Sequence, residues 1–247
     1  MRLYMAGSDA RSAYLTDLCK QKGHIISREG PWDVVVLSLP RSQISETLKQ
    51  QMPKGQKILC GMLSDADQEL AKEKGWVLKN ILQDARFTQE NAILTAEGAI
   101  FAAMRQMHFA LCRAHCAVIG YGRIGRALTD MLRGLGAQVT VAARRMESRA
   151  VAGPDSIPMD ELPLLFPNIQ VVFNTVPAQI IHNEWLKKLP EDALVIDLSS
   201  PPYGLDLSFA QGMGLRAWVE GGVPGRYCPK SAAAAMLDYL EREGKKS

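Results

Sequence analysis

Three glycines at fixed spacing follow an apolar segment in the middle of the chain. They are Gly120, Gly122 and Gly125; the segment 117–119 before them reads Ala-Val-Ile, and a helical pattern begins after the last glycine. A strand, a G-x-G-x-x-G turn and a helix, in this order, are typical of a site for the pyrophosphate of a dinucleotide. Glycine permits the tight turn and the close approach of the phosphates, and the helix N-terminus offers free N–H groups. We therefore predict coenzyme contacts from the turn itself, at Gly120, Gly122, Arg123, Ile124 and Gly125.

The next predicted strand, 138–143, ends in two arginines, Arg144 and Arg145. They follow the glycine turn by about 20 residues, where an NAD-binding protein has Asp or Glu for the ribose 2′-hydroxyl. Arginine instead binds phosphate through paired N–H groups. The pair therefore predicts that the coenzyme is NADP, with an ordinary strand–helix turn and two solvated arginines as the alternative.

Two later predicted strands end in polar loops. Segment 169–177 ends in Asn-Thr-Val-Pro, and segment 193–200 ends in Asp-Leu-Ser-Ser. Ligands of open α/β sheets bind at the carboxyl ends of the strands. We expect coenzyme contacts from Thr175, Val176, Pro177, Leu198 and Ser199. Ser199 is also predicted to bond the nicotinamide amide or the substrate, and simple turn chemistry before two prolines is the alternative.

The composition excludes several function classes. The chain has 247 residues, 47% hydrophobic and 22% charged, with a formal charge of +3 that is too small to predict binding to nucleic acid or to a membrane surface. The apolar runs are strand-sized, and no signal-peptide core is recognisable near the N-terminus. The odd count of five cysteines fits a reducing cytoplasm. We interpret Cys112, His115 and Cys116 as small thiols and a loop histidine, and we expect no metal site.

Apolar runs that alternate with helical patterns indicate an α/β fold with two lobes. The C-terminal lobe is predicted to be a Rossmann domain, a doubly wound parallel sheet that binds NADP, and the N-terminal lobe a smaller α/β domain on the substrate side. The predicted bounds are 1–92 for the N-terminal domain, 93–113 for a connecting helix, 114–228 for the Rossmann domain, and 229–247 for a C-terminal helix and tail.

The second half and the connecting helix resemble the dipicolinate synthase A-subunit family of spore-forming bacteria. The resemblance rests on segments 95–100, 118–125, 142–144, 173–177, 195–200 and 221–232, and more weakly on 7–11. It implies an NADP-dependent oxidoreductase that converts a cyclic hydroxy-tetrahydrodipicolinate, or its dihydro form, to pyridine-2,6-dicarboxylate during sporulation. It also implies a partner, a flavoprotein-like B subunit, hence a heteromer, in the cytoplasm of the mother cell.

A cyclic dicarboxylate substrate requires cations and, for a dehydrogenation, a group that takes up a proton. For the two carboxylates we predict Arg11, Arg41 and Arg226. The predicted catalytic residues are Glu97, Ser199 and Lys230. Glu97 has two interpretations that remain open: a base or orienting carboxylate, or a first-turn acid that interacts with the dipole of the connecting helix.

Two other functions fit parts of the pattern. A D-2-hydroxyacid dehydrogenase shares the two-lobed plan but uses a late histidine, and no histidine follows His182 in this sequence. A non-catalytic NADP-binding regulatory subunit is the second alternative. A homo-oligomer is a further expectation.

Overall fold

A computed structural model describes residues 1–245 of the chain. They form two compact units, the first made of Met1–Leu94 together with the segment that begins at Pro224, and the second of Thr95–Val223. The last two residues of the predicted tail, 246 and 247, lie outside the described residues. None of the helices in residues 1–245 combines the length and the apolar character that a bilayer crossing requires.

The first unit contains a five-stranded parallel sheet with the order β2-β1-β3-β4-β5. The strand order reverses between β1 and β3, and such a reversal marks the usual ligand position of an open sheet. The strands are β1 (Arg2–Met5), β2 (Ile25–Ile26), β3 (Val34–Val36), β4 (Lys57–Cys60) and β5 (Val77–Asn80).

Helices cover both faces of this sheet, as a parallel sheet requires. One face carries Leu3 and Leu59, which pack with Leu15 and with Met236 near the end of the chain. The opposite face has a second core around Ile58. The helices of this unit are α1 (Ala10–Gln21), α2 (Glu46–Gln51), α3 (Asp65–Lys74) and α11 (Pro229–Gly244), while α4 (Ala85–Met104) and α10 (Val223–Tyr227) cross its boundary.

The second unit contains a six-stranded parallel sheet with the order β11-β10-β9-β6-β7-β8. Counted from β6, this is the doubly wound order 6-5-4-1-2-3 of dinucleotide-binding domains, with its reversal between β6 and β9. The strands are β6 (His115–Ile119), β7 (Gln138–Ala142), β8 (Ser156–Ile157), β9 (Val171–Asn174), β10 (Leu194–Asp197) and β11 (Arg216–Val219). The predicted α/β fold class is confirmed.

Alternation along the strands creates one core on each face of the second sheet. Val118 and Phe173 pack with Leu128 on one face, whereas Ile119 and Val172 point into the core on the other face. The helices are α5 (Arg123–Gly134), α6 (Met146–Ala152), α7 (Leu162–Leu165), α8 (Asn183–Leu186) and α9 (Leu207–Gly212).

The long helix differs from its predicted bounds, and the last helix belongs to the first unit. Helix α4 begins at Ala85 and ends at Met104, so it starts and stops earlier than the predicted range 93–113. Its start is fixed by Asp84, whose carboxylate accepts a hydrogen bond from the Phe87 N–H at 2.8 Å. Helix α11 packs against α1 within the first unit and does not form a separate element.

Candidate functional site

The glycine turn after β6 leaves no space for side chains at two of its three glycines. Gly120 has φ +92°, and a Cβ there would lie 2.5 Å from the Thr175 hydroxyl and 2.7 Å from Val176. A Cβ on Gly125 would lie 2.1 Å from the Gly120 carbonyl oxygen. Gly122 is different, because a Cβ there would meet no atom within 4 Å. Gly120 and Gly125 are therefore required by packing, whereas Gly122 keeps a space open next to the turn.

Helix α5 starts directly at this open space. Gly122 is its N-cap residue and supplies no side-chain oxygen, so no side chain caps the first-turn N–H groups of Arg123, Ile124 and Gly125. Free N–H groups at the positive end of a helix are suited to bind phosphate. The predicted contacts thus have the geometry that a pyrophosphate needs.

A cavity of about 720 Å³ lies beside the turn, at the carboxyl ends of β6, β7 and β9. Arg144 and Arg145 line it, are both exposed, and form no ion pair within residues 1–245. Asp160 contributes a carboxylate to the lining. Other predicted residues on its wall are Gly120, Gly122, Val176 and Pro177. The open cradle at Gly122, the uncapped helix start and the two unpaired arginines together fit a dinucleotide.

The sequence did not predict two aromatic side chains that line the cavity. His182 and Trp185 line it, with their rings in an edge-to-face arrangement at 4.9 Å. His182 is the N-cap residue of α8. The irregular loop after β9 gives no periodic signal that would have placed these rings beside Arg144.

The ends of β9 and β10 are joined by a buried network around Asp197. Its carboxylate accepts hydrogen bonds from Asn174 Nδ2 at 3.0 Å, the Ser199 N–H at 2.8 Å and the Gly204 N–H at 2.6 Å. Thr175, next to Asn174, donates its hydroxyl to the Ile119 carbonyl at 2.8 Å. These bonds fix the two loops that carry the predicted residues Thr175, Val176, Pro177, Leu198 and Ser199.

The Ser199 hydroxyl is buried and makes no hydrogen bond within residues 1–245. An unsatisfied buried hydroxyl costs about 1–3 kcal/mol, and native structures contain few. The turn at Ser199 is formed by its backbone N–H, which donates to Asp197. The Ser199 hydroxyl takes no part in the turn. This observation favours the interpretation of Ser199 as a ligand-binding residue.

Arg11 and Arg41 belong to the first unit and follow β1 and β3, the strands at its reversal point. Arg11 is only 6% exposed, and its Nη2 donates to the Leu39 carbonyl and lies 3.4 Å from Asp9. Burial lowers the pKa of the Arg11 guanidinium, and the charge of Asp9 opposes that shift. Arg11 is therefore partly used by internal partners, whereas Arg41 is exposed.

The remaining predicted residues lie on helices. Arg226 is exposed in α10, with its guanidinium 5.2 Å from the ring of Tyr227, and Lys230 is exposed in the first turn of α11. Glu97 is exposed in the middle of α4, so the prediction that it heads this helix is wrong. A first-turn interaction with the helix dipole is thereby excluded for Glu97.

The cysteine cluster offers no metal geometry. Cys116 is buried inside β6, and burial raises the pKa of its thiol to about 12. Cys112 is exposed and lies before the strand. Within residues 1–245, no group of three or more His, Cys, Asp or Glu side chains is arranged to hold a metal ion.

Comparison with known proteins agrees with this geometry. Residues 78–200 match the family described as D-isomer specific 2-hydroxyacid dehydrogenase, NAD binding domain. The second unit is thus an NAD(P)-binding domain of the dehydrogenase type. A curated relative, the A subunit of dipicolinate synthase from Bacillus subtilis (strain 168), is 31% identical over 155 residues, which are 62% of this chain and 52% of the relative. The chain is thus similar to the A subunit of dipicolinate synthase, and the match spans about half the length of that relative.

Solved structures of dipicolinate synthase A subunits have the same fold. The one from Bacillus halodurans aligns with a TM-score of 0.87 at 24% identity and covers 98% of this chain and 96% of that chain. The one from Bacillus subtilis has a TM-score of 0.87 at 22% identity and covers 100% and 96%. At these identities the similarity shows the fold alone. The roles of the predicted substrate-binding and catalytic residues therefore remain predictions.

Proposed function

We propose that this protein is the NADP-dependent dehydrogenase subunit of a dipicolinate synthase. The observation that carries the proposal is the cavity of about 720 Å³, which combines the open glycine turn after β6 with two unpaired arginines after the neighbouring strand β7. Similarity to the A subunit of dipicolinate synthase supports the substrate class. The reaction proposed is the oxidation of hydroxy-tetrahydrodipicolinate, or of dihydrodipicolinate, to pyridine-2,6-dicarboxylate.

The preference for NADP follows from charge. Arg144 and Arg145 are exposed cations at the end of β7, where the adenosine ribose of a dinucleotide binds in this fold. Two guanidinium groups attract a 2′-phosphate and offer no acceptor to a 2′-hydroxyl. Arg144→Ala and Arg145→Ala variants are therefore expected to weaken NADPH binding far more than NADH binding.

The proposed oxidation requires no covalent bond between the protein and the substrate. If the hydroxy form is the substrate, water leaves first; the dihydro ring then loses one hydride and one proton and becomes aromatic. Bound NADP⁺ supplies the hydride acceptor. Aromatisation provides driving force, so the chain's residues mainly hold the reacting ring in position.

We assign the carboxylate-binding role to Arg11, Arg41 and Arg226 of the first unit. Arg41 and Arg226 are exposed cations. Arg11 retains Nε and Nη1 for a ligand, because only its Nη2 has a hydrogen-bond partner within residues 1–245. Guanidinium groups bind carboxylates through two parallel hydrogen bonds, which also orients the ring.

The three proposed catalytic residues have separate roles. Ser199 offers its unpaired hydroxyl to the nicotinamide amide or the ring. Glu97, an exposed carboxylate, takes up the proton as a base or orients the group that does so. Lys230 adds a positive charge at the start of α11. We further propose that the partner is a flavoprotein-like B subunit in the mother-cell cytoplasm, and that the chain self-associates.

The match of residues 78–200 favours a second candidate, a D-2-hydroxyacid dehydrogenase. That chemistry uses a late histidine as the acid–base group, and the last histidine of this chain is His182. His182 is the N-cap residue of α8 and lines the coenzyme cavity, so this chain has no histidine at the late position that this chemistry uses. A non-catalytic NADP-binding regulatory subunit is the third candidate.

The deciding experiment measures NADPH absorbance with enzymatically prepared hydroxy-tetrahydrodipicolinate, with and without a B subunit. NADPH formation and the appearance of pyridine-2,6-dicarboxylate are expected. Turnover of 2-hydroxy acids alone would support the second candidate. Tight NADPH binding without turnover, even with the B subunit, would support the regulatory one.

A further inference from the structure

One arginine outside the cavity lining holds the turn that carries Arg144 and Arg145. Arg149 lies in α6, and its Nη1 donates to the carbonyls of Ala143 and Arg144, both at 2.9 Å. Nη1 has two hydrogens, so these two bonds use its full donor capacity. The guanidinium thus binds the last two carbonyls before Arg145.

The same turn is held from its other side by backbone bonds. The Ala143 N–H donates to Ile157 at 3.1 Å, and the Arg149 N–H donates to the Arg145 carbonyl at 3.2 Å. With Arg149 in place, the peptide groups on both sides of Arg144 are fixed, and the side chains of Arg144 and Arg145 both line the cavity. Without it, two carbonyl oxygens would lose their charged partner, and the turn would be held by the backbone bonds alone.

We propose that Arg149 is a positioning residue that sets the preference for NADP over NAD. The inference rests on the proposed function and adds a residue to its specificity. Arg149 acts in two ways: it fixes the direction of Arg144 and Arg145, and its charge engages two carbonyl dipoles that would otherwise repel a nearby phosphate. Neither effect concerns the 2′-hydroxyl of NAD.

The chain offers a matched control in Arg133. Its Nη1 donates to the Ala152 carbonyl at 3.0 Å, so it binds the last residue of α6 while Arg149 holds the turn before it. Arg133 does not line the coenzyme cavity. Loss of Arg133 therefore removes an arginine–carbonyl bond to the same helix, together with the 3.8 Å ion pair to Asp155, and leaves the bonds at Arg144 in place.

The test measures dissociation constants of NADPH and NADH by fluorescence titration for the wild type and for Arg149→Ala, Arg149→Lys and Arg133→Ala. For Arg149→Ala we expect the NADPH preference, Kd(NADH)/Kd(NADPH), to fall about tenfold, the scale of one charge-assisted hydrogen bond. Lysine retains the charge and several donors, so Arg149→Lys is expected to keep most of the preference. Arg133→Ala is expected to leave it unchanged.

The outcomes separate this inference from the proposed coenzyme. An Arg149→Ala protein that binds NADPH with an unchanged preference, or that loses NADPH and NADH by the same factor, overturns the role of Arg149 alone. A wild type with no preference for NADPH overturns the proposed coenzyme together with this inference. If Arg149→Ala fails to fold, Arg149→Met takes its place, because methionine keeps the packing of the side-chain stem and removes the donors to Ala143 and Arg144; an unchanged preference in that variant overturns the role of Arg149.

Discussion

Replacing Gly125 by alanine tests whether the packing of α5 on its sheet explains the third glycine of the turn. The new Cβ would lie 2.1 Å from the Gly120 carbonyl oxygen and 3.0 Å from its carbon. Both are backbone atoms, so no side-chain rotation relieves the overlap. The start of the helix and the turn must separate by more than an ångström before the contact becomes ordinary.

The expected change in the free energy of unfolding follows from two opposing effects. Overpacking costs about 1–3 kcal/mol, and alanine in a helix gains about 0.5–1 kcal/mol over glycine. Because the obstacle is backbone, the cost belongs in the upper part of its range, and Gly125→Ala should lose about 2 kcal/mol. For a chain of this size, that loss lowers the melting temperature by about 4–8 °C.

The matched control is Gly134→Ala at the last position of the same helix. A Cβ there meets no atom within 4 Å, so only the gain in helix propensity remains and the protein should be as stable as the wild type or slightly more stable. Thermal unfolding followed by circular dichroism compares the three proteins. A Gly125→Ala midpoint equal to or above the wild-type value would refute the close-approach argument.

Three further predictions follow from described contacts. Gly122→Ala should leave the melting temperature within about 1 °C of the wild-type value, since the new Cβ enters open space. The same change should weaken NADPH binding tenfold or more, and a titration that finds equal NADPH affinity contradicts the phosphate site. Asp197→Asn should lower the free energy of unfolding in urea by about 2–4 kcal/mol, because one of its buried acceptors becomes a donor. Asp206→Asn, at the N-cap of α9, should change this free energy little, and equal losses in the two variants contradict the argument. Arg242→Lys should cost about 1 kcal/mol by removing the two-pronged contact with Asp84, and an unchanged urea midpoint would show that this contact contributes nothing.

The fold of the second unit could be predicted from the sequence because the patterns that indicate it are local. A strand, three glycines and a helix start lie within ten residues, and the apolar strands 117–119 and 193–197 are buried on both faces, as parallel strands are. The predicted element order and the coenzyme-side residues followed from this pattern. Arg144 and Arg145 were recognised for the same reason, since their position is defined by counting from the turn.

Long-range partners were not accessible in this way. The amphipathic pattern of α11 shows that one face is buried but does not identify α1 as its neighbour. The start of α4 was missed because its first turns are polar and its signal is the side-chain cap at Asp84. The burial of Arg11 depends on the Leu39 carbonyl, 28 positions away, and no local pattern indicates that bond.

The first unit is assembled from both ends of the described chain, with Leu15 of α1 and Met236 of α11 in one core. During synthesis on a ribosome, the segment from Pro224 onward emerges only after every residue of the second unit. The coenzyme-binding unit can therefore mature on the nascent chain while the apolar side of α1 still waits for its cover. In that interval the apolar side of α1 is exposed to chaperones that bind apolar helices.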